Sequence, residues 1–193
     1  MELSDRKKEI IDATLSLINE QGMQELTMKR IATAVGVSEP ALYKHFPSKF
    51  DILSAVVDAM ELSRAQTLKA AGTAGEHAEG VLTAFFENHA REFIRRPAMT
   101  TILFSEDLFQ HDASLLIRVT RIISETQRMI QGEIDKEKKN GAFRSDIDTE
   151  TASLMLLGGF RLLVSKWRLE RYSFDLAART SSFMRSVLLL LKA

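Results

Sequence analysis

The chain has 193 residues, 45% of them hydrophobic and 27% charged, with 26 basic side chains balanced by 26 acidic ones. That composition excludes a disordered chain, and zero net charge gives no global attraction to nucleic acid. The absence of cysteine excludes disulfides and thiolate metal sites, and no apolar run reaches membrane-spanning length.

The opening MELSDRKKEIIDATLSLINE lacks the uninterrupted apolar core of a signal peptide, so a cytoplasmic location is expected. Zero net charge hides a local asymmetry. Residues 1–25 carry six acidic against three basic side chains, whereas residues 26–50 carry Lys29, Arg30, Lys44 and Lys49 against Glu39 alone.

Periodicity predicts helices almost throughout, because only Pro40, Pro47 and Pro97 interrupt the chain and no segment alternates long enough to form a strand. A first helix is expected from about Asp5 to Gln21, capped by Ser4, with Ile10, Ile11, Thr14, Leu15 and Ile18 inward and Gly22 ending it. A second follows Thr27, buries Ile31, Ala32 and Val35, and stops at Gly36. A third, very short, follows Ser38. A fourth runs from Ser48 to about Ala71, with Ile52, Leu53, Val56, Val57 and Met60 inward. The stretch KAAGTAGEH, residues 69–77, is the clearest break. Beyond it, helices are expected over about 78–95, 98–109, 113–139, 149–170 and 174–192, making about nine in all. The fold class is therefore all-α: an N-terminal three-helix unit over residues 1–50 and a larger helical body over 51–193.

The second and third helices carry the functional signal. Ala32 allows a close helix crossing, Gly36 permits a left-handed turn, and Leu42 with Phe46 forms one buried face. Glu39, Pro40, Tyr43 and Lys44 are left facing outward, which is a helix-turn-helix able to enter a DNA major groove. Lys29 and Arg30 sit in one helix's first turn and Lys49 in another's, where cations oppose the helix dipole unless an anion arrives. Free backbone N–H groups plus a cation make a phosphate clamp.

The run LTMKRIATAVGVSEPALYKHFPSKFDIL, residues 26–53, resembles the DNA-binding domain of the TetR family of transcriptional regulators. The pattern G-V-S-x-x-x-L-Y-x-H-F-x-S-K is met at every defined position, and the resemblance extends over about residues 5–60. It implies a homodimer that places its third helices in the grooves of a near-palindromic operator in double-stranded DNA. It also implies a C-terminal domain that binds a small, usually lipophilic molecule and then releases the DNA. Carried onto this chain, Thr27, Lys29, Tyr43, His45 and Lys49 are expected at phosphates. Ser38, Glu39, Pro40, Ala41 and Lys44 are expected nearest the base edges. Glu39 either accepts from cytosine N4 or serves its own helix dipole, and His45 is either a phosphate contact or a packing residue.

In the body, aromatic and methionine side chains read first as core. Turned-in polar groups would mark an effector site among them, and the candidates are Phe86, His89, Phe93, Phe104, Arg161 and Trp167. His89, Glu92, Glu106, Asp107 and His111 are too irregularly spaced for a metal, so no metal or cofactor is expected. The last two helices are apolar around more than one face, which suggests either deep burial or a twofold subunit interface through Leu156, Gly159, Phe160, Leu163, Phe183, Val187 and Leu190. No nucleophile–base motif or phosphate loop appears, which argues against an enzyme. The leading reading is a ligand-responsive repressor. The alternative is a nucleoid-occlusion-like DNA-binding protein that acts through a protein partner.

Overall fold

The computed structural model describes residues 4–72, 77–97, 99–100, 104 and 113–193. Among them are eight α-helices: α1 Asp5–Gln21, α2 Met28–Val35, α3 Glu39–Tyr43, α4 Lys49–Gly72, α5 Ala78–Arg95, α6 Ala113–Lys139, α7 Thr149–Leu169 and α8 Leu176–Leu191. A single 3-10 turn covers Met23–Glu25, and one isolated antiparallel bridge joins Phe143 to Lys192. The all-α expectation holds. The helix expected over 98–109 lies almost entirely outside the described residues. No helix among the described residues is long and apolar enough to cross a membrane.

The chain divides into two compact units, one of Met1–Leu62 with Arg96–Val119, the other of Ser63–Arg95 with Thr120–Ala193. In the first, α1 is capped by Ser4 and buries Ile10, Ile11, Thr14, Leu15 and Ile18, the face its periodicity predicts. Gly22 ends it at φ 85°, and Thr27 opens α2 by accepting the Arg30 amide at 3.2 Å. Gly36 then adopts φ 73°, ψ 34°, the left-handed geometry a side chain disfavours. Its amide donates to Thr33 O at 3.1 Å and that of Val37 to Ala32 O at 2.9 Å, closing the helix with a Schellman turn.

Helix α3 has five residues, far too few for independent stability. Leu42 and Phe46 hold it by burial in the angle of the other helices, each contributing about 1.5–3 kcal/mol of transfer free energy. Ser48 then caps α4, accepting the Asp51 amide at 3.2 Å while its hydroxyl donates to the Asp51 carboxylate at 2.6 Å. Further along α4, Arg118 of α6 donates to Ser54 Oγ at 2.8 Å and pairs with Asp58.

The second unit is built on α5, whose inner face is Ala78, Leu82, Phe85, Phe86, Ala90 and Phe93. Helix α8 packs against both α5 and α7. The α7–α8 approach is close because a Cβ on Gly159 would lie 2.7 Å from the Phe183 ring. At the end of α6, the buried Glu137 carboxylate accepts the Ala78 amide at 3.0 Å and so caps α5 from across the unit. Helix α7 ends at a corner without glycine: Arg171 and Tyr172 take φ 53° and 63°. Left-handed geometry costs non-glycine residues roughly 1–2 kcal/mol each. The Tyr172 ring contact with Trp167, at 4.6 Å between centroids, offsets part of this.

Candidate nucleic-acid interface and effector site

The helix-turn-helix exposes Pro40, Tyr43 and Lys44 of the predicted outward face, with Glu39 only partly exposed. Tyr43 is 46% exposed, Ser38, Pro40 and Lys44 are exposed, and Glu39, Ala41 and His45 are half-buried. The Ser38 hydroxyl accepts the Ala41 amide at 3.4 Å, which starts α3 with Pro40 at its second position, where a missing N–H costs nothing. Lys7 approaches the Phe46 ring at 5.2 Å and braces the buried side of the same segment.

The structure redistributes the flanking cations. Lys29 and Lys49 are exposed, and the Lys49 ammonium donates to Leu26 O at 3.4 Å. The start of α4 therefore lies alongside the start of α2, so the two expected clamps share one edge. Arg30 behaves differently from the sequence expectation. Its guanidinium pairs with the Glu25 carboxylate and donates to Gln21 Oε1 at 3.0 Å and Glu25 O at 3.3 Å. Its place in the first turn of α2 is thus explained by a tie to the end of α1, without any external anion. Thr27 uses its oxygen to cap α2, leaving its hydroxyl hydrogen able to donate outward.

In the second unit the structure gathers some of the expected effector residues and separates others. Phe86 meets Phe160 at 5.1 Å, Phe93 stacks on Phe160 at 6.1 Å, and His89 lies 4.3 Å from Phe85 and 6.1 Å from Phe93. Burial, reinforced by the nearby Arg64 charge, lowers the His89 pKa from 6.5 to about 4, although the bond to the Phe85 carbonyl at 3.0 Å opposes this. The neutral ring therefore donates from Nδ1 to that carbonyl, leaving Nε2 as an acceptor. Arg161 is exposed on α7, Trp167 is buried against Tyr172, and Phe104 belongs to the other unit.

Inward polar groups that the sequence reading passed over are Arg64, Glu125, Gln127, Gln131 and Ser153. Arg64 Nη2 donates to Glu125 at 2.6 Å, and the fully buried Ser153 hydroxyl accepts from Gln127 at 3.2 Å and from Gln131 at 3.4 Å. The four-residue spacing of Gln127 and Gln131 on α6 was the available signal. Of the residues weighed and set aside as metal ligands, Glu106, Asp107 and His111 lie outside the described residues.

The interface expectation divides along α7. Ala152, Leu156, Phe160 and Val164 recur every fourth residue and face the chain's own core, so Leu156 and Phe160 follow the deep-burial alternative. The outer face carries Leu154, Met155 and Leu162, the last 62% exposed, with Gly159 and Leu163 half-buried beside it. On α8, Phe183 and Val187 are half-buried, while Leu189 and Leu190 are 68% and 60% exposed. Exposed leucines in such number are unusual on a surface that meets only water.

Comparison with known proteins agrees with this architecture. A family model described as bacterial regulatory proteins of the tetR family matches residues 10–56, and one described as the YsiA-like C-terminal region matches residues 52–191. The nucleoid occlusion factor SlmA of Glaesserella parasuis is 29% identical over 147 residues, covering 75% of this chain and 73% of that protein. The fatty acid metabolism regulator protein of Bacillus subtilis is 24% identical over 184 residues, covering 91% and 90% of the two chains. The structure of the transcriptional regulator FadR from Bacillus subtilis in complex with stearoyl-CoA superposes with a TM-score of 0.79 at 21% identity, over 94% of this chain and 97% of that one. With its helix-turn-helix in the first unit and a YsiA-like helical body behind it, the chain belongs to the TetR family of DNA-binding transcriptional regulators.

Proposed function

We propose that this regulator is a homodimeric repressor that leaves a near-palindromic operator when a small lipophilic effector binds its C-terminal region. The observation that carries the reading is the second unit itself, which holds both an aromatic cluster and polar side chains wholly or partly withdrawn from solvent: neutral His89, the Arg64–Glu125 pair, and Gln127, Gln131 and Ser153. Apolar walls with a few fixed polar groups are the composition of a ligand site. The stearoyl-CoA complex of a relative with the same fold favours an effector with a long acyl chain. On the DNA side, Ser38, Glu39, Pro40, Ala41 and Lys44 approach the bases, and Thr27, Lys29, Tyr43, His45 and Lys49 hold the phosphates. Helix α4 runs from Lys49 into the second unit, so an effector that tilts it changes the spacing of the paired α3 helices.

The test is operator binding with and without acyl-CoA. Affinity for the promoter DNA of the regulator's own gene is expected to fall steeply with salt, and stearoyl-CoA or dodecanoyl-CoA at micromolar concentration is expected to release the DNA. Undiminished DNA binding at saturating acyl-CoA sinks the acyl-responsive repressor.

Similarity to nucleoid occlusion factors supports a second reading, a DNA-binding protein that acts through a protein partner. It predicts DNA sites scattered over the chromosome, with affinity unmoved by any lipophilic compound. Chromatin immunoprecipitation separates the two: one or a few promoter peaks favour the repressor, and many dispersed peaks favour the occlusion-like role.

A further inference from the structure

One half-buried cation in the second unit is incompletely satisfied. Arg64, in the latter half of α4, donates from Nη2 to Glu125 Oε2 at 2.6 Å, yet its Nε is buried and makes no hydrogen bond. A guanidinium keeps its charge at any physiological pH, so this donor cannot be silenced by deprotonation. Nε and Nη2 lie along one edge of the guanidinium, and together they match the two oxygens of a carboxylate or phosphate. Glu125 occupies only one of the two. With its side chain 37% exposed, it can return to water once released.

The surroundings of Arg64 also differ from those of a purely structural ion pair. Its charge acts on His89, which is wedged between Phe85 and Phe93 at the edge of the aromatic cluster. His89 is held neutral and adds no positive charge beside Phe85 and Phe93, while Arg64 is near enough for its charge to act on that ring.

We propose that Arg64 anchors the polar head of the effector: an anionic oxygen pair at the end of an apolar molecule binds Nε and Nη2 together and displaces Glu125. The inference rests on the ligand-responsive reading above and assigns its recognition step. It also supplies a coupling. Arg64 belongs to α4 and Glu125 to α6, so occupation of the guanidinium edge by the effector removes a polar tie between these helices. Arg118, which holds Ser54 and Asp58, ties the same two helices within the other unit and is left intact.

The experiment measures binding of three probes to the full-length protein by isothermal titration: dodecanoate, dodecanoyl-CoA and dodecan-1-ol. The first two distinguish a carboxylate head from a phosphate-bearing one, and the alcohol lacks the anion. Wild-type protein is expected to bind at least one anionic probe at least tenfold more tightly than the alcohol. Arg64→Lys keeps the charge but loses the edge geometry, and it should weaken the anionic probe at least tenfold while leaving the alcohol unchanged. Glu125→Gln removes the competitor and should tighten the anionic probe several-fold. Equal affinities for anion and alcohol, or an anion affinity that Glu125→Gln leaves unchanged or weakens, overturn the assignment to Arg64 alone. Failure of the wild type to bind any of the probes overturns both the assignment and the acyl-responsive reading. If Arg64→Lys does not fold, as judged by circular dichroism, Glu125→Gln decides the matter.

Discussion

Lys49 and His89 show how one side chain's surroundings set its work. Lys49 is solvated apart from its bond to Leu26 O, so its removal should cost little stability. At a phosphate it displaces about one counterion. Lys49→Ala is therefore expected to weaken all DNA sequences alike, by about tenfold at low salt, and to flatten the slope of log affinity against log salt by about one. An unchanged slope removes Lys49 from the phosphate contacts. His89 is the opposite case, a buried group held neutral. Its folded pKa of about 4 lies below the unfolded value of 6.5, so the unfolded chain takes up the proton first as pH falls. Its contribution to stability is complete above about pH 6.5 and is lost between there and pH 4, by at most on the order of 3 kcal/mol. Urea denaturation at pH 7 and pH 4.5 should show this loss, and His89→Gln should reduce it. An identical loss in the variant assigns the pH dependence to other groups.

The glycines at α2's end and within α7 act at the scale of elements, for different reasons. A Cβ on Gly36 would meet nothing within 4 Å, but the backbone there has φ 73°. The requirement is conformational. Gly36→Ala should cost about 1 kcal/mol in urea denaturation, with Gly36→Asn costing less because asparagine tolerates the left-handed region. Equal costs for the two variants would indicate a steric origin. Gly159 has ordinary backbone geometry, and its requirement is contact with the Phe183 ring. Helix α3 makes the same distinction between local and tertiary causes. Ser38 and Pro40 start it, yet five residues persist as a helix only because Leu42 and Phe46 are buried by the rest of the unit.

On the scale of the whole molecule, a repressor that reads two half-sites needs two subunits. The surface proposed for their contact is the outer faces of α7 and α8, where Leu162 and Leu190 are among the most exposed leucines. Sedimentation should show a dimer for the wild type and a monomer for the double variant Leu162→Asp with Leu190→Asp. The monomer should bind operator DNA at least tenfold more weakly while keeping its helical circular dichroism. A wild-type protein that sediments as a monomer at micromolar concentration refutes the paired-helix reading of the DNA interface.

The helix-turn-helix was legible in the chain because its determinants are near neighbours: Thr27, Ser38 and Ser48 at helix starts, Gly36 at the turn, and the Leu42–Phe46 spacing. Capping and left-handed turns are local physics, and the inner faces of α1 and α2 follow from a single period. Other features depended on elements distant in sequence. Arg30 looked like a free cation in the first turn of α2 until folding placed Glu25 and Gln21 against it. Leu156 and Phe160 looked equivalent to Leu162 on an apolar helix, and only the packing of α7 against its neighbours gave the first two to the core and the last to the surface. Arg64, Glu125 and Gln131 sit on amphipathic helices where a polar residue ordinarily means solvent. Tertiary packing withdrew them partly from solvent, because which face of a helix is buried depends on the partners that fold against it.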